Sequence, residues 1–149
     1  MLQMRWNLIF RLQRFFRWLW QQEGSPSYKA RGLGIGVFCG CFPLFGFQTL
    51  LGITLASLLR GNHFLAVGGT LISNPATYLP LYWFNYRVGS ALLGQGVDSQ
   101  GLSQFAWRDM WGQGWLIGSR LFLGSAVVGT VVGISIGLIV YLLLRTRSY

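Results

Sequence analysis

The stretch GLGIGVFCGCFPLFGFQTLLGITLASLL, residues 32–59, runs 28 residues without a charge between Arg31 and Arg60. As one straight helix it would extend about 42 Å, well beyond the ~30 Å hydrocarbon core of a bilayer. Its own residues forbid a straight helix. Pro43 removes a backbone donor and its ring clashes with the preceding turn, and Gly46, Gln48 and Thr49 follow closely. The run therefore divides near Pro43 into two halves, each too short to cross a membrane alone. Upstream, Ser25 is a good N-cap and Pro26 suits the first helical position, so a helix is expected to start there.

Toward the C-terminus the pattern recurs. A second uncharged run of 26 residues reaches from Gly61 to Tyr86 and ends at Arg87. Ser73, Asn74, Pro75, Thr77 and Pro80 interrupt it. Asn before Pro is pushed out of the helical region, so one helix is predicted to end near Ile72 and another to begin at Pro75 or Pro80. Two apolar runs, each broken centrally, form a crude internal repeat. Paired breaks of this kind point to re-entrant hairpins or a binding site in a membrane, since backbone freed at that depth must be buried in protein or line a wet cavity. A third run, Leu121 to Leu144, is 24 residues long and is flanked by Arg120, Arg145 and Arg147. It has the length of a transmembrane helix with some tilt. Gly129, Gly133 and Gly137 repeat at every fourth position in it, a strip where another helix can approach closely, from this chain or from a second copy. Residues 94–104 read as a polar linker and 105–111 as a short interfacial aromatic segment.

On the N-terminal side, Leu8, Ile9, Leu12, Phe15, Phe16, Leu19 and Trp20 form one helical stripe, with Gln3, Asn7, Arg11, Arg14 and Gln21 opposite. That is an amphipathic helix over residues 1–22 with a basic face. Its interrupting arginines and the lack of a cleavage site distinguish it from a secretory signal. Arg5, Arg11, Arg14 and Arg17 are expected to lie against anionic headgroups.

The composition agrees. Of 149 residues, 52% are hydrophobic and only 10% charged, where soluble domains carry about 25% charged residues. The 12 Lys+Arg against 3 Asp+Glu give +9, a balance that first suggests nucleic acid. Placed at the ends of apolar runs and on one helix face, the charge fits the anionic membrane surface instead, and no nucleic-acid partner is expected. The search for an enzyme finds little. Glu23, Asp98 and Asp109 are not paired for acid–base work, His63 has no ligand companion at metal spacing, and Cys39 and Cys41 read as small buried hydrophobes. No catalytic residue, metal or cofactor is expected.

The polar residues Gln48, Thr49, Asn62, Ser73, Asn74 and Thr77 must each cap a helix or join a polar pocket. In the plainer reading Asn74 and Thr77 are caps and Gln48 ties one break to the other. In the sharper one the two breaks meet around an anionic or polyhydroxylated ligand, with Arg60 and Arg87 either touching its headgroup or snorkelling to the interface.

The strings Gly40-x-x-Pro43-x-x-Gly46-x-Gln48-Thr49 and Ser73-Asn74-Pro75-x-Thr77-x-x-Pro80-x-Tyr82 resemble a bacterial membrane family known as domain of unknown function 2062 (DUF2062). The resemblance covers roughly residues 25–140 and implies a small inner-membrane protein without assigned activity. Some members look associated with glycosyltransferases of the cell envelope, which implies lipid-linked saccharides.

The expected fold is thus an all-α integral membrane protein. Residues 1–22 form an interfacial helix, residues 25–144 one membrane domain with two Pro-broken segments and a long C-terminal helix, and residues 145–149 a basic tail. The N-terminus is expected in the cytoplasm, with an even number of crossings best satisfying every basic cluster. The leading functional expectation is a non-enzymatic component handling a lipid or lipid-linked envelope precursor at the breaks. The rival is a scaffold that docks a partner, or another copy of itself, through its Gly-rich helix face.

Overall fold

A computed structural model describes residues 21–44, 46–94 and 110–146, together with Arg14 and Arg17, which are helical and exposed. Arg5, Arg11, most of segment 1–22, the linker with Asp98, and residues 105–109 lie outside the described residues. Among the described residues there are five helices and no strand: α1 (Pro26–Gly40), α2 (Phe47–Leu58), α3 (His63–Thr70), α4 (Tyr78–Leu93) and α5 (Met110–Arg145).

Local chemistry sets most boundaries. The Ser25 hydroxyl accepts from the Tyr28 N–H at 3.3 Å, with Pro26 opening α1. Pro43 lies between helices, and Gly46 takes φ +83°, a left-handed geometry open to glycine without cost, just before α2. Asn62 caps α3 through Oδ1, which accepts from the Leu65 N–H at 3.0 Å. The second break covers 71–77, so Pro75 stands outside any helix and Pro80 falls in the first turn of α4, where a missing N–H costs nothing. The last helix starts eleven residues before the uncharged run and takes in Arg120, which is buried.

Directions follow from where the helices touch. The α1 and α3 helices run parallel in constant register. A Cβ on Gly32 or Gly36 would collide with the carbonyl oxygens of Asn62 or Ala66, and one on Gly40 would stand 3.1 Å from Thr70 Cα. The Asn62 N–H donates to the Tyr28 carbonyl at 3.0 Å at the starting end of both helices. The α2 helix returns alongside both: Thr49 reaches Thr70 at one end, and the Arg31 Nη1 donates to the Leu59 carbonyl at 3.3 Å at the other. The first run is therefore a hairpin whose two ends, Arg31 and Arg60, lie at the same level.

The second run behaves differently. The α5 helix is antiparallel to α1, with Gly133 and Gly137 against Gly34 and Gly129 against Phe38. The α4 helix is antiparallel to the other half of α5, its Gly89 lying on the Arg120 carbonyl and its Asn85 carbonyl on Gly124. So α3 and α4 point the same way, and the second run continues through its break instead of folding back. Arg87 ends up at the opposite end from Arg60. The Gly129–Gly133–Gly137 strip is covered by α1 of the same chain.

Ala30, Leu33, Leu65, Val140 and Leu144 pack together where α1, α3 and α5 meet. Outside this core, large apolar side chains such as Leu79, Trp83, Phe64, Ile134 and Val131 are exposed. From Gly114 to Arg145 the last helix is long and apolar enough to cross a membrane, yet its most apolar window is only 28% buried, unlike the core helix of a soluble protein. Exposed hydroxyls on these helices are satisfied by their own backbone: Thr54, Thr130 and Ser135 donate to the carbonyls of Leu50, Ala126 and Val131 at 2.7–2.8 Å. Hydroxyls satisfied in this way are compatible with an apolar surrounding.

Because Gly36 lies backbone to backbone against α3, Gly36→Ala is expected to lower stability by about 1–3 kcal/mol. Gly118→Ala, at a helical position with open space around it, is expected to be neutral or to stabilise by up to about 1 kcal/mol. Thermal unfolding of the detergent-solubilised variants checks both, and equal losses would contradict the packing.

Candidate functional site

Two helices that end inside an apolar body leave carbonyls and N–H groups that water cannot reach. The structure brings the two breaks together and fills the need with side chains from four helices. At the end of α1, the Cys41 carbonyl accepts from Asn85 Nδ2 at 2.9 Å, and the same amide donates to Ser125 Oγ at 2.9 Å. One residue on, the Phe42 carbonyl accepts from the Tyr82 phenol at 3.3 Å, and that phenol also lies in hydrogen-bond reach of the Ser73 side chain. Asn85 and Ser125 are fully buried, and Thr70, Ser73 and Gln48 nearly so. A polar cluster thus sits where both runs break, away from the charged ends of the molecule.

Of the residues singled out from the sequence, the structure gathers Gln48, Thr49 and Ser73 near these breaks. The Thr49 hydroxyl meets the Thr70 hydroxyl at 3.2 Å, so the tie between the breaks that Gln48 was expected to make is made by its neighbour. Gln48 is buried in the first turn of α2 and its Oε1 has no hydrogen-bond partner; Asn85 Oδ1 is in the same position. Asn74 and Thr77 build the second break itself. Asn74 Oδ1 accepts from the N–H groups of Ala76 and Thr77 at 3.0 and 3.2 Å, and Thr77 Oγ1 accepts from the Asn74 N–H at 2.9 Å and donates to the Ile72 carbonyl at 2.7 Å. Pro43 and Gly46 shape the first break as Pro75 shapes the second.

The remaining three stand apart. Asn62 and Arg60 lie at the far end of the hairpin, beside Tyr28 and His63. Arg60 takes φ +52° in the left-handed position after α2, where glycine is usual, and its exposed guanidinium is far from the breaks. Arg87 is exposed on α4, 5.4 Å over the Trp83 ring. Neither arginine joins the polar cluster.

Sequence reasoning passed over Asn85, Tyr82, Thr70 and Ser125 as site residues. Asn85 carried a usable signal: it is the one amide in the apolar stretch from Tyr78 to Tyr86, and an amide at such a place must find a partner. Nothing local marks Ser125 or the Cys41 carbonyl, which are recruited across the fold.

A sequence profile described as an uncharacterised protein conserved in bacteria, DUF2062, matches residues 10–148. The chain belongs to this family. Neither a curated protein nor a solved structure matches it. DUF2062 membership accounts for nearly the whole length, including both breaks and the last helix, so it reaches beyond the span of residues 25–140 that carries the resemblance. It brings no activity with it.

Replacing Asn85 by Leu strands the Cys41 carbonyl and the Ser125 hydroxyl, and is expected to cost about 1–3 kcal/mol. Asn74→Ala, at an exposed turn, is expected to cost about 0.5–1.5 kcal/mol. Unfolding midpoints in detergent micelles measure the difference; an Asn85→Leu variant as stable as the parent would contradict a bonded cluster.

Proposed function

We propose that this chain is a non-enzymatic, multi-pass protein of the bacterial inner membrane, with its N-terminus in the cytoplasm, that holds the hydroxylated head of a lipid-linked envelope precursor at its paired breaks. Membrane placement is supported by the charge distribution along α5. Lys29, Arg31, Arg60 and Arg145 cluster toward one end, while Arg87 and Arg120 mark the other. The 24 residues between Arg120 and Arg145 span about 36 Å of helix, enough for a ~30 Å hydrocarbon core with some tilt. The end richer in arginine and lysine faces the cytoplasm by the positive-inside rule. With the first run a hairpin, the second run and α5 make two crossings, an even number.

The observation that carries the ligand reading is the pair of buried, unpartnered oxygens, Gln48 Oε1 and Asn85 Oδ1. A buried acceptor without a donor costs about 1–3 kcal/mol; one of these stands in the first turn of α2 and the other on the side chain that binds the Cys41 carbonyl. Acceptors repel an anion and welcome O–H groups, so between the two ligand classes read from the sequence they favour the polyhydroxylated one. The resemblance to a family some of whose members look associated with envelope glycosyltransferases points the same way.

Gln48→Met keeps the volume and removes the amide. Native mass spectrometry after exchange from dodecyl maltoside into a sugar-free dodecyl polyether is expected to show one retained maltoside on the parent and none on this variant, with unfolding midpoints equal to within the effect of one hydrogen bond. Equal retention by both, or by neither, would overturn the reading.

A further inference from the structure

A second feature lies away from the polar cluster. Between α1, α2 and α5 runs an open apolar groove of about 580 Å³, within the ~300–1,000 Å³ range of ligand pockets. Gly34 forms its floor together with the glycines of α5, and exposed Leu59, Ile134 and Leu138 form its walls. Phe38, whose ring meets Phe42 edge-on at 5.1 Å, closes the end nearest the first break. On α5 the groove extends from Gly129 to Tyr141, about 18 Å of helix, close to the ~15 Å of one leaflet.

The other end is charged. Arg31 lines the groove beside Ser27 and Tyr141. Its Nε donates to the Ser27 carbonyl at 3.2 Å and its Nη1 to the Leu59 carbonyl at 3.3 Å. Both bonds go to neutral backbone oxygens, so they fix the guanidinium at the groove mouth and neutralise none of its charge. An apolar channel one leaflet deep, with a fixed cation whose hydrogen bonds among the described residues go only to neutral carbonyls, has the chemistry of a single amphiphile: a hydrocarbon chain ending in an anion.

We propose that this groove holds one acyl chain of an anionic phospholipid whose phosphate pairs with Arg31. This site stands independently of the saccharide reading, since it lies below Phe38 and uses neither Gln48 nor Asn85.

The test is native mass spectrometry of the full chain titrated with phosphatidylglycerol or with phosphatidylcholine of identical acyl chains. The parent is expected to hold one phosphatidylglycerol about fivefold more tightly than phosphatidylcholine, the factor that roughly 1 kcal/mol per basic residue near an anionic surface gives. Arg31→Gln is expected to bring the two lipids level and Arg31→Lys to keep most of the preference. Ile134→Trp, which fills the groove from a side chain 66% exposed and so leaves the core intact, is expected to weaken both lipids. An Arg14→Gln/Arg17→Gln double variant is expected to keep the tightly held lipid. Equal affinity of the parent for the two lipids, or a preference that survives Arg31→Gln, overturns the proposal. So does one lost in the Arg14/Arg17 variant, since the lipid would then sit on the N-terminal segment. Unchanged unfolding of Ile134→Trp keeps the result free of folding effects.

Discussion

A helix that stops inside an apolar body leaves carbonyl groups that nothing outside the chain can satisfy, and the arrangement of this protein follows from how it meets that demand. The Asn85 amide, bonded to the Cys41 carbonyl at 2.9 Å and to Ser125 at 2.9 Å, joins the end of α1 to α4 and α5 at once. Tyr82 on α4 bonds the next carbonyl, that of Phe42. Without these bonds the first break would be stranded, and α1 could not end where α4 begins its contact with α5. The two helices therefore share α5 end to end, α1 along its C-terminal half and α4 along its N-terminal half.

Glycine makes that sharing close. The contacts at Gly34 with Gly133, at Gly36 with Ala66 and at Gly89 with Arg120 bring backbones together, as helices do in lipid, where no hydrophobic force drives them and close van der Waals packing must serve. This is why the strip on α5 is taken up within the chain. Packed against α1, it also floors the groove that opens to the surroundings at Ile134 and Leu138.

Much of this was legible in the sequence, because the signals were local. Pro43 and the Asn74–Pro75 pair mark both breaks, Ser25 and Asn62 mark two helix starts, and the uncharged run from Leu121 marks the last helix. What was not legible is the direction taken after each break. A hairpin and a continuing helix need the same breakers; only the register of α3 along α1, and of α4 along α5, decides between them, and both are set by contacts some thirty or more residues apart. Site residues divide on the same line. Thr77 and Asn74 act on their own turn and could be read, whereas the choice of Thr49 over Gln48 as the link to Thr70 depends on which side chain α2 turns toward α3. Arg60 and Arg87 read as equivalent ends of a repeat, and the different course of the two runs places them at opposite ends of the molecule.

The central claim is that the first run folds back while the second continues through. It is tested most directly by labelling single cysteines with a membrane-impermeant maleimide in sealed vesicles of known orientation, in a background with Cys39 and Cys41 replaced by Ala. Exposed positions 23, 60 and 93 serve as probes. With the membrane placement proposed above, this fold predicts that Glu23→Cys and Arg60→Cys react from one side and Leu93→Cys from the other. Reaction of Arg60→Cys from the side opposite Glu23→Cys, or of all three from the same side, would contradict it.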